Sequence, residues 1–446
     1  MKTYWLLTGA ATASNGATGE SDAGAGDSEF KANSDFMARI KAMKDNRHSK
    51  ERRIQRLIQW NSEMLVQLLK QVVARRQVVQ RFPKDKEALT EMAANIGEGH
   101  TVVEEVAEII TLPEFDAAAA SAAAKKVDLP EEVTKQVHDY VAAIAGMYRD
   151  NPFHNFEHAS HVTMSVSKLL SRIVAPQIDK GDDDCDLHAK LHDHTYGITS
   201  DPLTQFSVVL SALIHDVDHR GVPNFILNNE EKELAATYRS KSVAEQNSVD
   251  LAWKALMQTE YDAFRGLIFD DIAELRRFRQ LLVNSVIATD IFDKELGGAR
   301  KARWEKAFSE TAQEDARTAI NRKATIVIEH LIQASDVAHT MQHWHVYTKW
   351  NEKLFEEMYG AYKSGRSETD PSVNWYQGEI GFLDNYVIPL AKKLKNCGVF
   401  GVSSDEYLDY AQKNRREWAA QGKDLVASYL EKHGNEGAKD DETKAE

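Results

Sequence analysis

The sequence predicts an all-α protein, and three observations carry that expectation. Between Phe36 and Arg81, Ile54, Leu57, Ile58, Leu65, Leu68, Leu69, Val72 and Val73 recur at three- and four-residue steps, the period of one helical face. From Leu129 to Leu430 the same period is nearly continuous, and strand-like alternation is scarce. Only nine prolines occur in 446 residues, so long stretches lack the ring that breaks a helix.

Residues 10–35 are rich in Gly, Ala, Ser and acids. They hold too little apolar surface to fold and read as a disordered linker. Residues 36–126 read as a helical linker region. The stripe within 36–81 is not a strict heptad, so two readings stand. It is a signalling helix that forms a homodimer through 36–81, or it packs on the next domain. An alanine-rich run at 114–126 ends in Lys125 and Lys126. Residues 127–432 form a large helical domain, with 243–258, 272–293, 322–340 and 344–364 as separate helices. Within it, 179–202 is polar and turn-rich, a surface loop by composition. The charged stretch 433–446 reads as a disordered tail.

Bulk numbers exclude several classes. Lys and Arg total 55 against 69 Asp and Glu, a net charge of −14. A nucleic-acid binder needs a basic surface to displace counterions. An acidic protein still binds a small anion where metal ions reverse the local field. The cysteines, Cys185 and Cys397, make neither a disulfide framework nor a zinc–thiolate site and suit a reducing compartment. No stretch approaches the roughly 20 apolar residues of a membrane span. The short apolar run after Lys2 is broken by Thr8 and Gly9, which argues against a signal peptide. The expected location is cytoplasmic, or the cytoplasmic face of a membrane if a membrane segment lies upstream of this chain.

Spacing narrows sixteen histidines. His154 and His158 stand at i and i+4, on one face if the segment is helical. Alone, such a pair is more often a surface feature. The apolar run Ser207–Ile214 leads straight into His215-Asp216-Val217-Asp218-His219. Burying His and Asp at the end of an apolar helix is costly unless they pair or bind a metal. A single ion pair is the bland reading, but four ligand-type residues in this order favour a metal. Imidazole suits zinc, while oxygen-only coordination suits magnesium or manganese. Ile326-Val327-Ile328 and Leu331-Ile332 repeat the logic before Ser335-Asp336. Alone, Asp336 is an ordinary capping residue; its weight comes from the other elements. His188, His192 and His194 are expected to be exposed in the polar stretch. His343 and His345 flank Trp344 and are not expected to share a helical face. His339, three residues after Asp336, is a candidate to line a pocket.

At these residues the sequence resembles the class I 3′,5′-cyclic nucleotide phosphodiesterases over roughly 130–430. The run from His215 to Ile226 is similar to the family's HD-x-x-H-x-G-x-x-N signature, and Phe153–Ala159 to its Y-H-N-x-x-H-A motif. Glu245, Thr289-Asp290, Asp336 and Gly381-Phe382 match in order and spacing. The resemblance implies a compact multi-helix HD-type domain with a deep pocket over two divalent metals. His158, His215, Asp216 and Asp336 would hold a tight zinc. Asp216 would reach a second metal, magnesium or manganese, whose waters Glu245 and Thr289 would position. His219 would lie near the phosphate. Hydroxide bridging the metals would attack phosphorus, and His154 would protonate the leaving 3′ oxygen, giving a 5′-nucleotide. Phe382 and Leu354 would clamp the base. Two other readings stand beside this one: another HD-type nucleotide phosphohydrolase, and an inactive nucleotide-binding signalling domain.

Some positions depart from the family pattern. Glu379 stands where a glutamine reads the purine edge. An ionised glutamate only accepts hydrogen bonds, which leans toward cyclic GMP over cyclic AMP, or toward relaxed selectivity. Phe153 replaces a tyrosine and His161 an aspartate, while Gln333 and His339 replace a His and an Asn. Met1–Leu6 resembles the terminal strand of class III nucleotide cyclases. That implies a fused cyclase upstream, with 1–9 as a remnant of its last strand and 10–126 as linker. An ordinary start codon is the alternative.

Overall fold

The computed structural model describes residues 27–77, 86–123, 127–173, 184–308 and 314–434. The expected strand remnant at 1–9, residues 10–26 of the expected linker and the tail beyond residue 434 lie outside the described residues. The chain divides into two units, Met1–Arg53 and Ile54–Glu446. Among the described residues the secondary structure is helical with no strand.

Helix α1 (Asp27–Arg76) begins within the 10–35 stretch and supplies the described part of the first unit. In the second unit, α1 is followed by α2 (Lys86–Asn95), α3 (Ala117–Ala123), α4 (Glu131–Met147), α5 (Phe156–Ser171) and α6 (Asp184–His194). Next come α7 (Pro202–Ile214), α8 (Asn224–Glu230), α9 (Lys232–Thr237), α10 (Val243–Leu256), α11 (Asp262–Ile268) and α12 (Ile272–Ile287). The chain continues through α13 (Lys294–Phe308), α14 (Ala316–Asp336) and α15 (Trp344–Lys363) to α16 (Trp375–Phe382), α17 (Ile388–Asn396) and α18 (Gly401–Gly434).

Helix α7 is the hub. It is buried from Phe206 through Ile214 and packs between α5 and α12, while α14 packs on α5. Its hydroxyls survive burial because the helix itself satisfies them. Ser207 Oγ donates to Leu203 O at 2.6 Å and Ser211 Oγ to Ser207 O at 2.8 Å, so no polar atom is stranded.

The segment before α4 joins this core. Leu57, Leu65, Leu69, Ile110 and Leu112 belong to the same buried cluster as α7. Asn61 Nδ2 donates to Ser160 Oγ at 2.9 Å. The irregular stretch after residue 105 spends its backbone on helix side chains: Ile110 N donates to Thr325 Oγ1 (2.8 Å) and Leu112 N to Asn321 Oδ1 (3.0 Å). Of the two readings of the 36–81 stripe, packing on the following helices therefore holds for 54–76. The structure does not separate residues 54–123 from the helices that follow.

The 179–202 stretch is not the loop its composition suggests, since α6 occupies Asp184–His194. His188, His192 and His194 are half-buried rather than exposed. His192 packs its ring on Phe115 at 5.5 Å and bonds through Nδ1 to Ser200 Oγ at 2.5 Å. Gly197, at φ 86°, donates to His192 O at 2.8 Å and closes the helix end, a left-handed cap that glycine adopts without strain.

Arg76 fastens α1 to α11 and α12. Its guanidinium donates to Leu267 O (2.7 Å), to Ile268 O and to Glu274 (2.7 Å). Arg76→Met should lower stability by about 3 kcal/mol, because it strands a largely buried carboxylate and helix-end carbonyls. The measurement is the thermal unfolding midpoint; an unchanged midpoint would remove Arg76 from the framework.

Candidate active site

Three helix ends converge on one buried point. Asn155 caps α5, accepting from His158 N at 3.0 Å, which turns His158 inward in the first turn. Helix α7 ends at Ile214, so His215 and Asp216 emerge from its buried C-terminus. Asp336 is the last residue of α14. Asp218 then turns the chain away at φ 62°, a left-handed conformation that Asp tolerates better than most residues.

His215 Nδ1 donates to Ala212 O at 2.9 Å, which fixes Nε2 as the inward atom. Nε2 lies 3.1 Å from Asp216 Oδ2 and 3.3 Å from Asp336 Oδ1. His158 Nε2 lies 3.0 Å from Asp336 Oδ1 and 3.6 Å from Asp216 Oδ2. His215 Nε2 and Asp216 Oδ2 are buried with no hydrogen-bond partner, a costly state unless a cation completes it. Two imidazole nitrogens and two carboxylate oxygens fit a divalent ion of the zinc type. Burial opposes charge on His215, yet the carboxylates hold its pKa well above the usual value, while the imidazoles hold Asp216 and Asp336 low against burial. A proton and a divalent cation thus compete for one position.

His154 stands beside this cluster, its ring centroid 6.1 Å from that of His158. Glu357 on α15 holds it. Glu357 Oε1 lies 2.5 Å from His154 Nδ1, and Oε2 accepts from the backbone of Phe153 and His154, both at 2.9 Å. Burial works against the His154 charge, but Glu357 wins and pushes the imidazole up to about 9. Burial and the neighbouring His154 charge take His219 the other way, to about 4. The two rings are 3.9 Å apart, so charge on one disfavours charge on the other. Gly221, at φ 69°, donates to His219 Nδ1 at 3.2 Å, which leaves Nε2–H as the outward donor. Asn151 ties the two segments, donating to His154 O at 2.9 Å and His219 O at 2.8 Å.

Glu245 lies in a second carboxylate group. Asn224 Nδ2 donates to Glu245 Oε2 at 2.9 Å and lies 3.4 Å from Asp290 Oδ2. Burial, then Asp290 and Asp216, push Glu245 up to about 8, the signature of unbalanced negative charge that a cation would relieve. Thr289 spends its hydroxyl proton on Val286 O at 2.7 Å, which leaves its lone pairs for water.

The residues expected around a base lie on α15 and α16. Leu354 is partly buried on α15, and Phe382 stacks on Tyr386 at 5.4 Å. Glu379 is buried one turn before Phe382 and accepts from Tyr347 OH at 2.7 Å. His339 packs its ring on Phe153 at 5.4 Å and on Trp350 of α15 at 6.2 Å, and burial with the nearby His158 pushes it down to about 3. It is a neutral wall beside the His158–His215–Asp216–Asp336 cluster. His343 and His345 do come together, with stacked rings 5.9 Å apart. His343 caps α15 in non-helical geometry, so the helical face rule does not apply to it.

Glu357, Asn151 and Asp290 carry site geometry that sequence reasoning did not assign. Glu357 had a signal, since it follows Leu354 by three and Trp350 by seven on the buried stripe of α15. An acid on such a stripe needs a partner.

A family model described as 3′,5′-cyclic nucleotide phosphodiesterase matches residues 153–400. A 3′,5′-cyclic-AMP phosphodiesterase isoform of Drosophila melanogaster is 25% identical over 276 residues, 60% of this chain and 38% of that protein. A dual-specificity calcium/calmodulin-dependent 3′,5′-cyclic nucleotide phosphodiesterase of Bos taurus is 24% identical over 282 residues, 60% of this chain and 45% of that one. A cGMP-specific 3′,5′-cyclic phosphodiesterase of Plasmodium yoelii is 24% identical over 298 residues, 65% and 34% respectively. The match thus spans less than half the length of these relatives. A solved phosphodiesterase domain of the Salpingoeca rosetta rhodopsin phosphodiesterase aligns with TM-score 0.49 and 21% identity, covering 79% of this chain and 92% of that one.

The His154–Glu357 pair sets a pH window. His154, raised to about 9, contributes stability that is complete below its usual 6.5 and lost as pH rises through 9. Glu357, lowered to about 2, contributes stability present above its usual 4.5 and lost as pH falls through 2. Glu357→Gln should return the His154 titration midpoint, followed by ring-proton NMR, toward 6.5. A midpoint that stays near 9 would assign the shift to Asp216 and Asp336 instead.

Proposed function

Because the chain belongs to the 3′,5′-cyclic nucleotide phosphodiesterase family, we propose that it hydrolyses 3′,5′-cyclic nucleotides to 5′-nucleotides with His154 as general acid. The observation that carries this reading is the meeting of His158, His215, Asp216 and Asp336, without a donor for Asp216 Oδ2, one ring-width from His154.

These four residues would hold the tight metal. Asp216 would be shared with a second site, beside which Glu245 and Thr289 would orient water. The bound divalent ions, zinc in the first position and magnesium or manganese in the second, supply Lewis acidity that lowers the pKa of the attacking water and offsets phosphate charge.

The chain's own residues do the rest. Glu357 accepts from His154 Nδ1–H, so the proton on Nε2 is the one available to the substrate. Transfer from Nε2 to the departing 3′ oxygen neutralises the alkoxide as the P–O bond breaks. His219 stays neutral beside it and offers Nε2–H to a phosphate oxygen. Leu354 and Phe382 would hold the base between apolar faces, with Glu379 at its polar edge.

His154→Ala should cut kcat/KM by about 10²–10⁴-fold, while zinc content by elemental analysis stays near wild type. Loss of zinc in the same variant would move His154 into the ligand set. Asp336→Asn should lower both zinc content and turnover, because it removes the negative charge of the carboxylate whose Oδ1 lies beside two imidazoles. Appearance of a 5′-nucleotide from either cyclic substrate tests the reaction itself; no product from either would overturn it.

A further inference from the structure

One stretch of α1, within the first unit, inverts the charge of the chain. Residues 39–53 carry Arg39, Lys41, Lys44, Arg47, Lys50, Arg52 and Arg53 against Asp45 and Glu51. Their net charge is +5 with His48 neutral, in a chain whose net charge is −14. The backbone is helical throughout, so these residues span about 22 Å. Every residue from His48 to Arg53 is exposed.

The cations are also ordered along the helix. Lys41, Lys44, Arg47, Lys50 and Arg53 follow one another at steps of three. Neighbours at that step lie side by side on a helix, and like charges there repel. Opposing anions relieve such a ladder. A second copy of α1 does not supply them. A heptad seam through Ile40, Met43 and Ile54 also runs through Arg47 and Lys50, so a parallel pair would set cation against cation. A nucleic-acid backbone and an anionic bilayer both supply phosphates. Phe36, Met37, Ile40 and Met43 separate these two, because they interleave with the first cations. Apolar side chains gain nothing on a phosphate backbone. At the boundary of headgroups and acyl chains they bury area, and the stems of Lys and Arg bury with them.

We propose that residues 36–53 of α1 form a docking surface for an anionic lipid bilayer. The cluster has the size of an electrostatic membrane anchor. Among the described residues no helix is long and apolar enough to cross a membrane, so the contact is adsorption at the headgroups. The acidity of the rest of the chain does not prevent it. At physiological salt, repulsion is largely screened beyond about 8 Å, and only residues at the surface are felt. The docking surface is independent of the reaction carried out by the second unit.

The test is co-sedimentation of the full chain with phosphatidylcholine vesicles, with and without phosphatidylserine. Binding should require phosphatidylserine. It should be lost between about 0.05 M and about 0.5 M salt, as the screening length falls from about 14 Å to about 4 Å. A variant carrying Lys41→Gln, Lys44→Gln, Arg47→Gln and Lys50→Gln keeps its helix propensity. It should bind at least about 100-fold more weakly, at about fivefold for each cation that reaches the surface. A control carrying Lys135→Gln, Lys301→Gln, Lys306→Gln and Lys395→Gln removes as many exposed charges from the second unit and should bind as the wild type does. Far-ultraviolet circular dichroism should match in all three proteins. Equal partitioning onto neutral vesicles, no partitioning onto anionic vesicles at low salt, or equal losses in the two variants would overturn the docking surface. Tighter capture by duplex DNA than by vesicles at the same salt would overturn it too, as would a dimer of the full chain that the first variant alone loses.

Discussion

Two imidazole nitrogens and two carboxylates forced into one buried point are the constraint on which the rest of the structure depends. Asp216 and Asp336 leave the C-terminal ends of α7 and α14, where the helix dipoles add negative potential. Nothing in the backbone relieves that charge, and His215 Nε2 brings a lone pair rather than a donor when neutral. The arrangement is stable only with positive charge at its centre. This requirement explains why α7 is buried throughout and why its serines bond back to their own helix. A hub that must end in ligands cannot afford a second polar debt along its length.

Burial acts on His154, His215 and His219, yet their charge states diverge because their partners differ. Glu357 overrides burial at His154. His219, its ring 3.9 Å from that of His154, meets a cation and is left neutral. His330 donates Nδ1 to Ile326 O at 2.8 Å, and burial pushes it down to about 3. One acidic partner therefore decides which imidazole is charged, and the close approach of the two rings confines that charge to one of the pair.

Much of this was legible in the sequence where a polar residue interrupts an apolar helical stripe. His215-Asp216 after Ser207–Ile214 and Asp336 after Ile326–Ile332 are such interruptions. The helices near 243–258, 272–293 and 344–364 also follow their periodicity, with ends a few residues inside the expected bounds. Elsewhere the determinants are not local. Helix α6 forms in a polar stretch because its packing partners, Phe115 among them, come from upstream. Residues 106–116 have no regular structure, and Ile110 and Leu112 are buried because Thr325 and Asn321 satisfy their amides. Glu357 lies more than 200 residues from His154 in the chain, and spacing says nothing about a pair so separated.

Helix α15 joins the two ends of the proposed substrate. Glu357 fixes the acid at one end, and Tyr347 and Asn351 fix Glu379 at the other. Both glutamates are buried, but Glu357 is lowered to about 2 and Glu379 raised to about 7. The difference lies in the partner, a cationic imidazole for one and neutral donors for the other. Asn351 and Glu357 are six residues apart, about 9 Å along a rigid helix, a separation of the order of a nucleotide's own length. A shift of α15 along its axis would therefore disturb the His154–Glu357 pair and the Tyr347–Glu379 contact together.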